Sequence, residues 1–125
     1  MNLRQGFLVL TAIGLIPIAL GYGVAPQRSL EYLFAVSVQN VNGTHIFRAI
    51  MGLYLALAAF WIVGAYKAHL TQAALYSLVV FMLGLAAGRL LSLVVDGVPN
   101  WLLLAYLALE LGIGSVGLLL LKRQD

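Results

Sequence analysis

The sequence predicts an all-α integral membrane protein, a four-helix transmembrane bundle with a loop or short helix capping its outer end. Three observations carry that reading. Of 125 residues, 63% are hydrophobic and 9% charged, and the mean hydropathy is +1.03. A soluble domain is roughly 45–50% apolar and about 25% charged, so seven Lys and Arg with four Asp and Glu are too few to keep such a globule wet. Disorder would need low hydrophobicity. Second, the chain holds four apolar stretches near the length of about 20 residues that a spanning helix needs. Third, none alternates like a strand, and a chain this short cannot close a membrane barrel with long spans. One domain, residues 1–125, is expected, with no room for a linker.

The first span runs from about residue 6 to 22, interrupted by Thr11, Gly14 and Pro17. Arg4 before a short apolar core also fits a secretory signal. Its small-residue exit at Gly23-Val24-Ala25 is followed by Pro26, an unfavourable place to cut, so a retained helix bent by Pro17 is expected. The long connection from Gly23 to Gly43 is too apolar to float free. It reads either as a short interfacial helix with Leu30, Leu33 and Phe34 on one face, or as a strand in which Phe34, Val36 and Val38 alternate. The second span covers about 44 to 66, with Thr44 as the expected cap. A tight turn with Lys67 and His69 leads into the third span, about 71 to 95. The turn Asp96-Gly97-Val98-Pro99 leads into the fourth, about 99 to 121, with Pro99 in its first turn.

Orientation follows from Lys and Arg near the span ends. With both termini cytoplasmic, the inner side receives Arg4, Lys67, Lys122 and Arg123, and the outer side Arg28, if Arg48 and Arg89 count as intramembrane. The basic residues are spread along the chain, which argues against nucleic acid as a partner and for contact with an anionic leaflet. There are no cysteines, which removes thiolate chemistry, and His45 and His69 sit at opposite ends of a span and cannot share a metal. No nucleophile triad or phosphate-binding glycine loop is present, so neither a catalytic set nor a cofactor is expected.

Three charged residues fall within spans: Arg48, Arg89 and Glu110. A charge at a helix centre costs roughly 2.5–3.5 kcal/mol on the insertion scale. At about 1.5 Å per residue, Arg48 lies one turn below its outer end, Arg89 about 9 Å inside Val95 and Glu110 about 16 Å in from Pro99. Faces agree with depths, because residues three or four apart share a helix face. The third span aligns Met82, Leu85, Arg89, Ser92 and Asp96; the second His45, Arg48 and Gly52; the fourth Leu103, Tyr106, Glu110 and Gly114. His45, Arg48, Arg89, Ser92, Asp96, Tyr106 and Glu110 thus form a candidate ligand-binding cluster in the outer half, to which every helix but the first contributes. All three intramembrane charges should point into the bundle, with Arg89 bonded to Glu110 and Asp96 organising the outer turn or meeting Arg48. The competing structural reading is that these charges neutralise each other and fix helix packing, with Arg48 snorkelling outward.

Smaller signals remain. Gly84 and Gly88 form a GxxxG pattern read as close packing within the bundle or as a homo-oligomer face. Gly112, Gly114 and Gly117 read as tight packing on the last span. Tyr22, Trp61, Tyr66 and Trp101 lie near helix ends, where aromatic belts belong.

The stretches His45-Ile-Phe-Arg48-Ala-Ile-Met-Gly52-Leu-Tyr54-Leu and Gly88-Arg89-Leu-Leu-Ser92-Leu-Val-Val-Asp96-Gly97-Val-Pro99 resemble the two signature stretches of a domain-of-unknown-function family, number 4345. The resemblance covers most of the chain from Thr44 to Gly114. It implies a short bacterial inner-membrane protein with four spans and groups Arg48, Arg89, Ser92, Asp96 and Glu110, without supplying an activity. The function expected from the residues is non-enzymatic: an outer-half intramembrane pocket, open only to the outer side or the outer leaflet, that binds membrane lipid or a small amphipathic molecule. Two other readings stand beside it, a small proton-coupled transporter using Glu110 and an assembly subunit of a membrane complex. An intramembrane enzyme using Glu110, Tyr106 and Asp96 is the least favoured.

Overall fold

The computed structural model describes residues 2–123, and among them the chain forms helices and connections with no strand. The helices are α1 (Leu3–Gly23), α2 (Pro26–Phe34), α3 (Val41–Tyr66), α4 (Ala68–Val95) and α5 (Trp101–Lys122). All but α2 are long and apolar enough to cross a membrane, so this is a multi-pass membrane protein.

Local chemistry explains where each helix begins. Asn2 and Gln5 form a reciprocal capping box on α1: each side chain accepts the other's backbone N–H at 2.9 Å. Pro17 lies inside α1, which continues to Gly23. Pro26 opens α2, where its missing N–H costs nothing, and Ala35 closes it in the left-handed region at φ 57°. The long connection therefore resolves as the short helix, with Leu30 and Phe34 buried, and not as the strand. Two expected starts are corrected. Asn40 caps α3, its Oδ1 accepting from Gly43 N at 2.9 Å, while the Thr44 hydroxyl donates to the Asn40 carbonyl at 3.3 Å. Asn100 caps α5, its Oδ1 accepting from Leu103 N at 3.2 Å, which leaves Pro99 before the helix, not in its first turn. An amide cap wins in both places because its oxygen reaches an otherwise unpaired N–H of the first turn.

The chain ends and the α3–α4 turn share one end of the bundle, since Arg4 donates to the Leu120 carbonyl at 3.1 and 3.2 Å and to Gln72 Oε1 at 3.1 Å. At the opposite, capped end sit α2 and the α4–α5 turn, where Asn100 Nδ2 donates to the Leu33 carbonyl at 3.0 Å. Packing runs α1 on α3, α3 on α4 and α4 on α5. The fourth side is different: α1 and α5 share little backbone contact between Arg4 and α2, so the ring of spans stays loose along that seam.

The belt reading is half corrected. Tyr66 and Trp101 are 70% and 75% exposed near helix ends, as a belt requires. Trp61 is fully buried and its Nε1 donates to Ser77 Oγ at 3.0 Å, and Tyr22 is buried in a ring cluster with Phe34, Phe47 and Tyr54. The expected tight packing holds at Gly114 and Gly117, where Leu83 and Val79 press on the backbone, and fails at Gly112, which is open. Gly84 and Gly88 are exposed with open space over both, so their packing within the bundle is ruled out.

Candidate functional site: an ion pair beside a lateral cavity

Helix α4 brings Arg89 across from Glu110 on α5. The Arg89 Nε donates to both carboxylate oxygens, at 2.9 and 3.1 Å, as the sequence reading expected. The side chains differ in exposure: 8% for Glu110, 22% for Arg89. Tyrosines surround the pair. The Arg89 guanidinium carbon stands 5.9 Å from the Tyr106 ring centroid, close enough for a cation–π contact. Tyr22 interacts with the same guanidinium, and Tyr54 lies within electrostatic reach of both charges. Phe34 of α2 closes the group from the capped end, its ring 5.8 Å from that of Tyr106.

Below this pair is a cavity of about 230 Å³, placed between α1 on one side and α4 and α5 on the other. Arg89, Glu110, Tyr106, Tyr54 and Thr11 supply its polar atoms; the remaining lining is apolar apart from the Gly14 backbone. Leu10 and Leu109 stand on its rim and are 71% and 52% exposed, so the mouth faces sideways through the loose α1–α5 seam. The lining reaches from Phe7 to Ile18 along α1, which centres the cavity at mid-bundle. Of the two openings expected, to the outer side or into a leaflet, the exposed rim residues Leu10 and Leu109 correspond to the second. The Arg89–Glu110 pair forms the cavity's deep wall.

The other expected site residues separate from this centre. Ser92 Oγ donates to Asp96 Oδ2 at 2.6 Å at the exposed end of α4, so Asp96 organises the α4–α5 turn. Ser92 also borders a recess of about 100 Å³ between α4 and α5 that Arg89 partitions from the main cavity. His45 and Arg48 are exposed and line a different groove, formed by α3 with Gln27 and the residues before α3. Arg48 thus does not point into the bundle: it lies on a face of α3 away from Tyr54, and Asp96 does not meet it.

Sequence reasoning missed the share of α1. Phe7, Leu10, Thr11, Gly14 and Ile18 follow the three-and-four spacing of one helix face, and a polar Thr11 beside Gly14 was the available signal. It also missed Tyr22 and Tyr54, because a tyrosine in an apolar run is indistinguishable in sequence from one at the interface.

Fold and site together define a multi-pass membrane protein with a charged pair inside its bundle. The chain belongs to the family described as domain of unknown function DUF4345, whose model matches residues 3–121. Neither a curated protein nor a solved structure matches it.

Proposed function

We propose that this protein binds one small amphipathic or lipid-like molecule, or a single acyl chain, in the lateral cavity between α1 and α5. The observation that carries the proposal is a mostly apolar cavity of about 230 Å³ whose mouth faces lipid and whose deep wall holds the Arg89–Glu110 pair. A cavity of roughly 150 Å³ already takes benzene, so this one has room for a ring with a short tail or a folded segment of alkyl chain. The pair neutralises itself, which favours a guest with an uncharged polar head that hydrogen-bonds to Tyr106, Tyr54 or the guanidinium edge. The carrier reading is the weaker one: a carboxylate held by a guanidinium at 2.9 Å is poorly placed to release and recapture protons.

Both termini are placed in the cytoplasm of a bacterial inner membrane in this reading, with the chain as a single domain. Arg4, Lys67, Lys122 and Arg123 support that orientation, since all sit at the terminal end of the bundle.

Gly14 gives the test. A Cβ there meets nothing within 4 Å, so Gly14→Leu starts a side chain in open space on the cavity lining and should take up part of the cavity. Purified protein titrated with decanol should show saturable binding by calorimetry, lost in Gly14→Leu. Equal binding by both proteins would refute the cavity as the site.

A further inference from the structure

The groove at the capped end holds the second arginine, and its chemistry differs from that of the cavity. It is about 810 Å³, open, and lined by the polar residues Gln27, Gln39, Asn40, Thr44, His45 and Arg48 with Val41 and Ala49 between them. No acidic side chain lines it. Gln27 Nε2 donates to Thr44 Oγ1 at 3.2 Å, which ties α2 to α3 and fixes the groove's wall. Asn40 is occupied as the α3 cap, and neither Arg48 nor His45 has a hydrogen bond or ion pair with another described residue.

Arg48 lies seven residues past the start of α3, about 10 Å down the helix at 1.5 Å per residue. Depth is what makes it informative. A guanidinium at that level of a spanning helix is close to the headgroup region and has to find an anion or water. His45 sits one turn above it on the same face, so the two donors line up along the groove toward the surface. We infer that this groove is a second, separate site, which takes the phosphate of a phospholipid in the leaflet at the capped end. The lipid's phosphodiester oxygens accept from Arg48 in the forked geometry a guanidinium offers, and His45 and the polar wall flank the headgroup. The site is independent of the lateral cavity: Arg48 and His45 border only the groove, and the cavity's lining comes from other faces.

Native mass spectrometry of detergent-purified protein, given phosphatidylglycerol at stoichiometric excess, reads the site directly. Wild type should retain one phospholipid. Arg48→Gln should weaken retention on the order of tenfold or more, the loss expected for a charge-assisted contact, and Arg48→Lys should recover part of it. Arg48 is exposed, so an unchanged thermal midpoint in Arg48→Gln shows that folding is intact. Gly14→Leu should retain the lipid as wild type does; loss in that variant would place the lipid in the cavity and overturn the second site. Full retention in Arg48→Gln would overturn it also. Displacement of the lipid by millimolar inorganic phosphate would show a site for free phosphate and overturn the lipid assignment.

Discussion

The α3–α4 seam and the α1–α5 seam solve the same problem, holding two apolar helices together in lipid, in opposite ways. Between α3 and α4 the backbones are drawn close. Gly64 faces Ala74, the Thr71 hydroxyl donates to the Gly64 carbonyl, and Trp61 donates to Ser77. Small residues and interhelical hydrogen bonds are what lipid leaves available, because acyl chains are as apolar as leucine and provide no hydrophobic drive between helices. Between α1 and α5 contact is concentrated at the ends, in Arg4 on the Leu120 carbonyl and in α2 bridging Leu33 to Asn100. Midway the seam leaves a cavity. A single residue, Lys67, joins α3 to α4, whereas α1 and α5 are the first and last helices of the chain. Tight packing follows the short turn, and the open space falls where the ring of helices closes.

The largest expected effect tests the closed seam. In Gly64→Leu the new Cβ would strike the Ala74 methyl and crowd the Leu70 carbonyl, neither of which can swing away. We expect a loss of about 3 kcal/mol or more, the upper range of overpacking, read as a collapse of the thermal midpoint in detergent. A near-native midpoint would mean that this seam yields as easily as the other. Next is Glu110→Gln, which strands Arg89 beside the cavity. Breaking a buried pair costs about 3–5 kcal/mol, and partial exposure of Arg89 reduces that here to roughly 2 kcal/mol. The double variant Arg89→Met with Glu110→Leu should be less damaged than Glu110→Gln alone, because it leaves no charge unpaired.

A smaller change is expected from Arg4→Met. It removes the donors to the Leu120 carbonyl and Gln72, for about 1 kcal/mol, and should widen the distance distribution between spin labels placed at Leu10 and Leu109. An unchanged distribution would show that α2 alone sets the seam. The smallest stability effect is expected for Gly14→Leu, within about 0.5 kcal/mol of wild type, because the Cβ meets no neighbour and the cavity lies beside it. The contrast with Gly64→Leu is the comparison in its sharpest form: one substitution type, two seams, opposite outcomes.

Much of this was legible before the structure. Composition and the four apolar runs gave the spans to within three residues at either end, and opposite charges at Arg89 and Glu110 implied their pairing. What could not be read was which face of each apolar helix meets its neighbours. In water an amphipathic stripe marks the buried side, but here both faces are apolar and that signal vanishes. Arg48 was grouped with Arg89 on its depth and on the face it shares with His45 and Gly52, but neither fixes how α3 is rotated against its neighbours, and that rotation puts it in another groove. Gly84 and Gly64 are both small residues in apolar runs, yet one is bare and the other is pressed against Ala74.

The position of Glu110 in the chain has a consequence for biogenesis. Its partner Arg89 is on the preceding helix, and only the connection through Asp96 and Asn100 lies between the two spans. As the ribosome delivers α4, the membrane is offered a segment carrying a lone cation; when α5 follows, the pair folds together as a hairpin of no net internal charge. The acid therefore lowers the barrier for a helix that does not contain it. In a translocation assay with a glycosylation tag after α4, Glu110→Ala should leave more chains with that span outside the bilayer, before any ligand is involved.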